Sequence, residues 1–182
     1  MHILAISGSL RAGSSNTFLL QAATRLAPPD VEIRLYRGLG AIPPFNPDLD
    51  GEAVAPSVAD LRARLQQAAA VLISSPEYAH GISGVLKNAL DWVVGSGEFI
   101  NKPVAAINAS GRAIHAQASL LDTLAMMNTD VVLAASLTVA LPTNKLDCAA
   151  MLADAGIAAA LSEALEALQR HLLSPGLSIN NS

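Results

Sequence analysis

Short runs of apolar residues alternate along the chain with longer segments in which apolar residues recur every three or four positions. The apolar runs predict β-strands at 2–7, 31–36, 70–75, 103–108 and 131–139. The periodic segments predict helices near 15–26, 57–68, 83–95 and 113–127, with a final helix near 149–172. Because strands and helices alternate, the pattern predicts one α/β domain built around a parallel sheet.

Two of the central apolar runs show no alternation of polar and apolar positions. Val71, Leu72 and Ile73 form one of them, and residues 104–107 form the other. This pattern is typical of strands that are buried on both faces of a parallel sheet. We therefore predict a flavodoxin-like three-layer α/β sandwich with a five-stranded parallel sheet of order 2-1-3-4-5. The domain should span residues 1–173, followed by a mobile tail at 174–182.

The composition narrows the class of protein further. The chain has 182 residues, of which 52% are hydrophobic and 14% charged, so it can bury a large core. Its longest apolar stretches are interrupted by Ser, Thr or Glu, which argues against a membrane partner. A net charge of −4 with 3% aromatic residues argues against nucleic acid as a partner. Cys148 is the only cysteine, so no internal disulfide can form and we expect a cytoplasmic protein.

A loop rich in hydroxyl groups follows the first predicted strand and leads into the first helix. Gly8 and Gly13 allow a close approach of the backbone, and Arg11 supplies a planar cation. The amide groups of a helix N-terminus are donors for a phosphate. The short donor side chains of the loop are Ser9, Ser14, Ser15, Asn16 and Thr17. The loop therefore predicts a phosphate-binding site.

The known phosphate loops with other signatures fit this segment less well. A Walker loop ends in Gly-Lys-Ser/Thr, and a dinucleotide loop reads G-x-G-x-x-G, whereas residues 8–13 read Gly-Ser-Leu-Arg-Ala-Gly. Hydroxyl groups in place of glycines favour one terminal phosphate, and hence a mononucleotide. The simpler alternative is an ordinary capped helix, but a cap requires only one such residue.

A second motif follows the third predicted strand, at the same edge of the sheet. It begins with Pro76, Glu77 and Tyr78 and continues to Trp92. Tyr78 and His80 offer flat surfaces to a planar ligand, and Ser83 is a candidate N-cap for the next helix. Glu77 is expected to fix the loop rather than to transfer protons. Lys87 and Asp91 are expected to form a surface pair, and Trp92 to lie in the core or an interface.

Together the two motifs resemble the NADPH-dependent FMN reductase family of flavodoxin-like proteins. The resemblance rests on Gly8-Ser9-Leu10-Arg11 with Ser14 and Asn16, then on Pro76-Glu77-Tyr78 and 86–92, Leu-Lys-Asn-Ala-Leu-Asp-Trp. It implies FMN as cofactor and NADPH or NADH as co-substrate. It assigns the FMN phosphate to Ser9, Arg11, Ser14, Ser15, Asn16 and Thr17. It assigns the flavin ring to Pro76, Glu77, Tyr78, Ala79 and His80, with Ser110 and Gly111 from the loop after the fourth strand. Many members of the family have Asn at the position of Ala79 and Pro at that of Ser83.

The family resemblance also implies the reaction. Hydride passes from NAD(P)H to flavin N5 and then to a flavin, quinone, azo or metal-oxyanion acceptor, so we expect no catalytic residue.

The four histidines and Cys148 show no metal-ligand spacing. His115 and His171 are expected to have no function, whereas Arg112 is either a solvated cation or a ligand for the 2′-phosphate of NADPH.

Three other functions are also consistent with the sequence. They are a flavodoxin-type electron carrier, an FMN-binding regulatory protein, and a phosphate-handling enzyme without flavin. The low aromatic content and modest charge favour a reductase with an open flavin face over a carrier.

The apolar Leu86, Leu90 and Val93 predict a surplus apolar face, and hence a homodimer or homotetramer.

Overall fold

The fold is that of a doubly wound α/β sandwich, as seen in a computed structural model that describes residues 1–51, 54–143 and 145–174. The strands are β1 (His2–Ser7), β2 (Glu32–Leu35), β3 (Ala70–Ser74), β4 (Glu77–Tyr78), β5 (Gly81–Ile82), β6 (Pro103–Asn108), β7 (Asp130–Val131) and β8 (Leu137–Thr138). The helices are α1 (Ser15–Arg25), α2 (Pro56–Gln67), α3 (Gly84–Val94), α4 (Ile114–Met126), α5 (Cys148–Ala153) and α6 (Ala155–Leu173). The predicted mobile tail lies at 174–182, and residues 175–182 are outside the described residues.

The main sheet has the strand order β2-β1-β3-β6-β7, and every pairing along it is parallel. With the five principal strands numbered in turn, this order is 2-1-3-4-5, which confirms the predicted flavodoxin-like fold. The loops after β1, β3 and β6 therefore lie side by side at one edge. In open α/β sheets, ligands bind at this carboxyl edge.

Both faces of the sheet are buried, as the uninterrupted apolar runs predict. On β1, Leu4 and Ile6 pack in the core that α2, α3 and α4 cover. Ile3 and Ala5 point to the opposite core, which α1 and α6 cover. Successive strand residues point to opposite faces, so one short apolar run contributes to two cores.

The fifth predicted strand, at 131–139, is interrupted in the structure. It consists of β7 and β8, separated by a turn of 3₁₀-helix at Leu133–Ala135. The hydroxyl of Ser136 accepts a hydrogen bond from the Ala106 N–H at 3.0 Å and donates one to the Val132 carbonyl at 3.0 Å. A side chain thus takes the place of a strand backbone in the ladder, which a pattern of apolar residues does not reveal.

The final predicted helix, near 149–172, is also two helices rather than one. Asp154 ends α5 and is the N-cap of α6, where its Oδ1 accepts a hydrogen bond from the Ile157 N–H at 3.0 Å. Asp147 caps α5 in the same way, through the Ala150 N–H at 2.8 Å. A short carboxylate that competes for backbone donors favours a helix start over a helix interior.

The proline-bearing loop after β2 is fixed to α3 through the carbonyl group of Pro43 and through Phe45. The carbonyl oxygen of Pro43 accepts hydrogen bonds from Asn88 Nδ2 at 2.9 Å and Trp92 Nε1 at 2.8 Å. Phe45 packs its ring edge-to-face against Trp92, with 5.1 Å between the ring centroids. Trp92 is fully buried, which confirms that it belongs to the core.

The surplus apolar face that the sequence predicts on α3 is absent from this helix. Leu86, Leu90 and Val93 are all buried within a single protomer, because α3 packs on the sheet and beneath the loop after β2. The predicted basis for self-association through these three residues is therefore wrong. Lys87 and Asp91 do form the predicted pair on the surface of α3.

Candidate functional site

Two clefts lined by described residues lie at the carboxyl edge of the sheet. The larger one, here called the main cleft, has a volume of about 590 Å³. The smaller one, the side cleft, has a volume of about 440 Å³. The main cleft is lined by Ser15, Asn16, Ser75, Pro76, Glu77, Asn108, Ala109, Ser110, Arg112, Ala113, Leu141, Pro142 and Thr143. The side cleft is lined by Gly8, Ser9, Leu10, Arg11, Tyr78, Ser83, Gly84 and Val85.

One end of the main cleft is formed by the start of α1. Asn16 Oδ1 accepts a hydrogen bond from the Ser74 hydroxyl at 2.8 Å, so the side-chain NH₂ of Asn16 is its donor for a ligand. In any α-helix the amide groups of the first turn have no partner within the helix. This end of the cleft therefore offers donors to an anion.

The loop between β1 and α1 is held by its own hydroxyl groups. Ser7 Oγ and Thr17 Oγ1 lie 2.8 Å apart, and Ser7 Oγ also accepts from the Ser9 N–H at 3.3 Å. Arg11 Nη2 donates to the Gly13 carbonyl at 2.7 Å. Thr17 thus braces the loop against β1, while Arg11 is exposed at its outer side.

Gly8 is required by the close approach of this loop to the second motif. Its N–H donates to the Ser74 carbonyl at 2.8 Å. A Cβ atom on Gly8 would lie 2.9 Å from Ser75 Oγ and 3.0 Å from Ser83 Oγ. An added Cβ would therefore displace the Ser75 hydroxyl, and the Ser75 Cα, which would lie 3.2 Å from it, leaves little room for adjustment.

The second motif forms a small hairpin that the sequence does not predict. Strands β4 and β5 pair antiparallel, and Ala79 and His80 form the two-residue turn between them with φ of +48° and +61°. Both turn residues are therefore in the left-handed region, as in the type I′ turns of tight hairpins. Asn and Gly are the usual signals of such a turn, and Ala-His carries neither of them.

The hairpin is attached to α4 by two contacts. Glu77 Oε2 accepts a hydrogen bond from the Ala116 N–H, in the first turn of α4, at 2.9 Å. The rings of His80 and His115 stack with centroids 4.2 Å apart and an angle of 23° between their planes. His115, expected to have no function, thus has a structural contact with a predicted site residue. Glu77 has the positioning contact that the sequence predicts.

The loop after β6 is organised by Asn108, which is buried. Its Oδ1 accepts from the Ser110 N–H, and its Nδ2 donates to the Ala113 carbonyl, each at 3.1 Å. These bonds present Ser110 and Arg112 to the main cleft. Gly111 faces the next loop instead, where a Cβ would lie 3.4 Å from that of Ala140.

The predicted site residues are thus distributed over two neighbouring clefts. The main cleft contains Ser15, Asn16, Pro76, Glu77 and Ser110, and the side cleft contains Ser9, Arg11 and Tyr78. Within the described part of the chain, five others line neither cleft, namely Ser14, Thr17, Ala79, His80 and Gly111. Sequence reasoning missed Asn108 and the segment Leu141, Pro142 and Thr143. That segment follows β8, and the rule that loops after parallel strands share one edge could have identified it.

The main cleft suits FMN in volume and in chemistry. Its volume lies within the range of cofactor sites, its α1 end offers donors to a phosphate, and its other walls come from the loops after β3, β6 and β8.

Over residues 1–51, 54–143 and 145–174, no group of three or more His, Cys, Asp or Glu residues is placed to hold a metal ion. Among those same residues, no helix has both the length and the apolar character needed to cross a membrane.

Fold and cleft together define a flavodoxin-like nucleotide-binding protein. The sequence matches the NADPH-dependent FMN reductase family over residues 1–143. The chain belongs to this family of NAD(P)H-dependent oxidoreductases, whose cofactor is FMN.

Individual relatives agree with this assignment. An NAD(P)H-dependent FMN reductase of Pseudomonas aeruginosa is 36% identical over 172 residues, which cover 92% of each chain. A quinone reductase of Escherichia coli is 32% identical over 94 residues, or 51% of this chain and 50% of that one. In structure, the chain is similar to the flavoenzyme NAD(P)H:(acceptor) oxidoreductase FerB of Paracoccus denitrificans. The TM-score is 0.71 at 26% identity, over 93% of this chain and 98% of FerB.

Proposed function

We propose that the main cleft binds FMN, with the phosphate at the start of α1 and the flavin ring between the hairpin and the loop after β6. The observation that carries this proposal is one cleft of about 590 Å³ containing Asn16 at one end and Pro76, Glu77 and Ser110 at the other. FMN, when bound there, supplies the ring that takes hydride from NAD(P)H and delivers it to an acceptor.

The residues of this chain bind the phosphate of FMN and position its ring. Asn16 and the first turn of α1 donate to the phosphate, and Ser9 and Ser14 extend the hydroxyl-lined loop around it. We propose that Arg11 exchanges the Gly13 carbonyl for the phosphate, because a guanidinium forms stronger hydrogen bonds with a charged acceptor than with a neutral one. Pro76 and Glu77 of the hairpin segment form one wall for the ring, and Ser110 forms another. Tyr78 lies in the side cleft, and Gly111 faces Ala140.

The acceptor is proposed as a small planar or diffusible oxidant: a quinone, free flavin, an azo compound or a metal oxyanion. A quinone has the most support, since several relatives, including the Escherichia coli protein, are named quinone reductases. Tyr78 has 58% of its surface exposed and Leu10 has 59%, so the side cleft next to the hairpin offers flat apolar surface to such a molecule.

The activity is tested by an anaerobic visible spectrum of the FMN-loaded protein before and after one equivalent of NADPH. Rapid bleaching of the flavin bands, followed by recovery of those bands when a quinone is added, is the expected result. Bands that persist with both NADPH and NADH would identify an electron carrier or a regulatory protein. A protein that gains no flavin bands would contradict FMN binding altogether.

The assignment of the phosphate is tested by Arg11→Ala. We expect FMN binding to weaken by about 10- to 100-fold, as for the loss of a hydrogen bond to a charged group. Arg25→Ala is the matched control, because Arg25 is exposed at the last turn of α1, at the opposite edge of the sheet. Fluorescence titration with FMN measures both variants, and equal affinity of Arg11→Ala and the parent would refute the assignment.

The cellular location and the oligomeric state of the enzyme are also proposals. We propose a cytoplasmic enzyme, supported by the single cysteine, and a homodimer or homotetramer. Leu86, Leu90 and Val93 of α3 are buried, so support for self-association comes from the outward face of α4, where Ile114 has 62% and Met126 has 72% of its surface exposed. Light scattering at micromolar concentration tests this, and a monomer mass would contradict it.

A further inference from the structure

Two arginine residues line the clefts, and both lie outside the ion pairs of the described residues. Arg11 lines the side cleft and Arg112 the main cleft. By contrast, Arg34, Arg62, Arg64 and Arg170 each pair with a carboxylate. A guanidinium in a ligand cleft without a carboxylate partner is available to bind an anion from outside.

The two arginines lie at different ends of the site. Arg11 follows β1, whereas Arg112 follows β6, and β3 lies between these strands in the sheet. Neighbouring strands are about 4.8 Å apart, so the two loops start about 10 Å from each other. The α1 end already provides donors for one phosphate, which makes Arg112 available for a second anion.

Arg112 forms no ion pair with the hairpin among the described residues. Glu77 and Arg112 are the two charged residues that line the main cleft. The Glu77 carboxylate is engaged by the Ala116 N–H at 2.9 Å. The backbone N–H of Arg112 donates to Ser110 Oγ at 3.2 Å, which fixes the base of the side chain, and Thr143 supplies a further hydroxyl among the lining residues.

We propose that Arg112 binds the 2′-phosphate of NADPH and thereby makes the enzyme select NADPH over NADH. This inference rests on the proposed function, in which FMN and its single phosphate occupy the rest of the cleft. NADPH differs from NADH only by this phosphate, so a cation at the rim of the cleft separates the two. Arginine suits the role, because its planar fork matches the oxygens of a phosphate.

The test uses adenosine 2′,5′-bisphosphate as the probe and 5′-AMP as the comparison. Both are titrated calorimetrically into the FMN-loaded parent, Arg112→Gln, Arg112→Lys and Arg25→Gln. Arg25→Gln removes the same charge at the far edge of the sheet. FMN already occupies its own phosphate site in these samples, so the probe reports on the co-substrate site.

Arg112→Gln should weaken binding of the 2′,5′-bisphosphate by about 10- to 100-fold relative to its effect on 5′-AMP. Arg112→Lys should recover part of the affinity, and Arg25→Gln should match the parent. In steady-state kinetics, the KM for NADPH should rise at least five times more than that for NADH, an order-of-magnitude expectation from the same loss.

Two results would overturn the inference. One is equal affinity of the parent and Arg112→Gln for the 2′,5′-bisphosphate. The other is a loss of FMN affinity in Arg112→Gln as large as that in Arg11→Ala, which would assign Arg112 to the cofactor phosphate. Failure of the proposed function is a separate observation, because a parent that binds no FMN lacks flavin bands before any probe is added.

Discussion

The carboxylate of Glu77 accepts a hydrogen bond from the backbone N–H of Ala116, although the two residues are 39 positions apart. Glu77 lies on the hairpin, and Ala116 lies in the first turn of α4. The residue before α4 is Ala113, which has no side chain that can cap a helix. The hairpin therefore supplies both a cap and a negative charge to the start of α4, where they are most stabilising.

Loss of this bond should loosen the hairpin from α4. We expect Glu77→Ala to lower the free energy of unfolding by about 1 kcal/mol, the usual cost of a lost cap, and to weaken FMN binding as well. Glu77→Gln keeps an acceptor oxygen and should recover most of the stability. Urea denaturation and FMN titration measure the two effects. If Glu77→Ala is as stable as the parent, the bond has no structural role in solution.

Gly8 and Gly84 provide a matched pair of substitutions. Gly8→Ala should destabilise the fold by about 1–3 kcal/mol, because the added methyl overlaps Ser75 and Ser83. Gly84→Ala places a methyl in open space at the first position of α3. It should leave stability unchanged or raise it by a few tenths of a kcal/mol. Thermal unfolding of the two variants distinguishes them, and equal melting temperatures would contradict the close approach at Gly8.

The turn of the hairpin contains backbone strain that can be relieved. Ala79 has a φ of +48°, a conformation that costs a residue with a Cβ about 1–2 kcal/mol. Ala79→Gly and Ala79→Asn should therefore stabilise the protein by about 0.5–1 kcal/mol, after allowance for the greater freedom of glycine in the unfolded chain. Ala118→Gly, on the exposed face of α4, should do the reverse. Denaturant midpoints measure all three, and a destabilised Ala79→Gly would contradict the turn geometry.

His2 should make stability depend on pH. Burial, followed by the nearby charge of Arg34, lowers the pKa of His2 below its usual value of 6.5. Just below pH 6.5 the unfolded chain binds the proton more readily than the folded one. The contribution of His2 to the free energy of unfolding is therefore fully present above pH 6.5. It decreases as the pH falls toward the lower pKa of His2 in the folded protein.

A variant isolates this contribution. In His2→Gln the loss of unfolding free energy between pH 7.5 and pH 5.5 should be smaller than in the parent. Guanidinium denaturation at the two pH values provides the comparison. Parallel pH profiles for His2→Gln and the parent would show that His2 contributes nothing to this dependence.

The sequence predicts the layers of the fold well, because burial of both sheet faces leaves a direct record in the apolar runs of β1, β3 and β6. It predicts less well where a side chain replaces the backbone. Ser136 in the ladder beside β6 and Asp154 between α5 and α6 both interrupt elements that the apolar pattern treats as continuous.

For the site, the sequence locates the loops but not the contacts within them. The rule that loops after parallel strands share an edge brings Asn16, Pro76 and Ser110 into one cleft. The turn at Ala79 and the stack of His80 on His115 are missed, because they depend on a backbone conformation that these residue types rarely adopt. The burial of Leu86 and Leu90 was also not predictable, since it depends on the loop that covers α3.

The interruption between β7 and β8 has a consequence for aggregation. An exposed sheet edge is a template on which a second chain can add a strand. Here the edge next to β6 is covered by two strands of only two residues each, with a turn of 3₁₀-helix between them. At the opposite edge, Glu32 and Arg34 of β2 are exposed and form an ion pair. One edge is thus too short, and the other too charged, for a neighbouring molecule to add a strand to it. Both features oppose aggregation through the sheet edges.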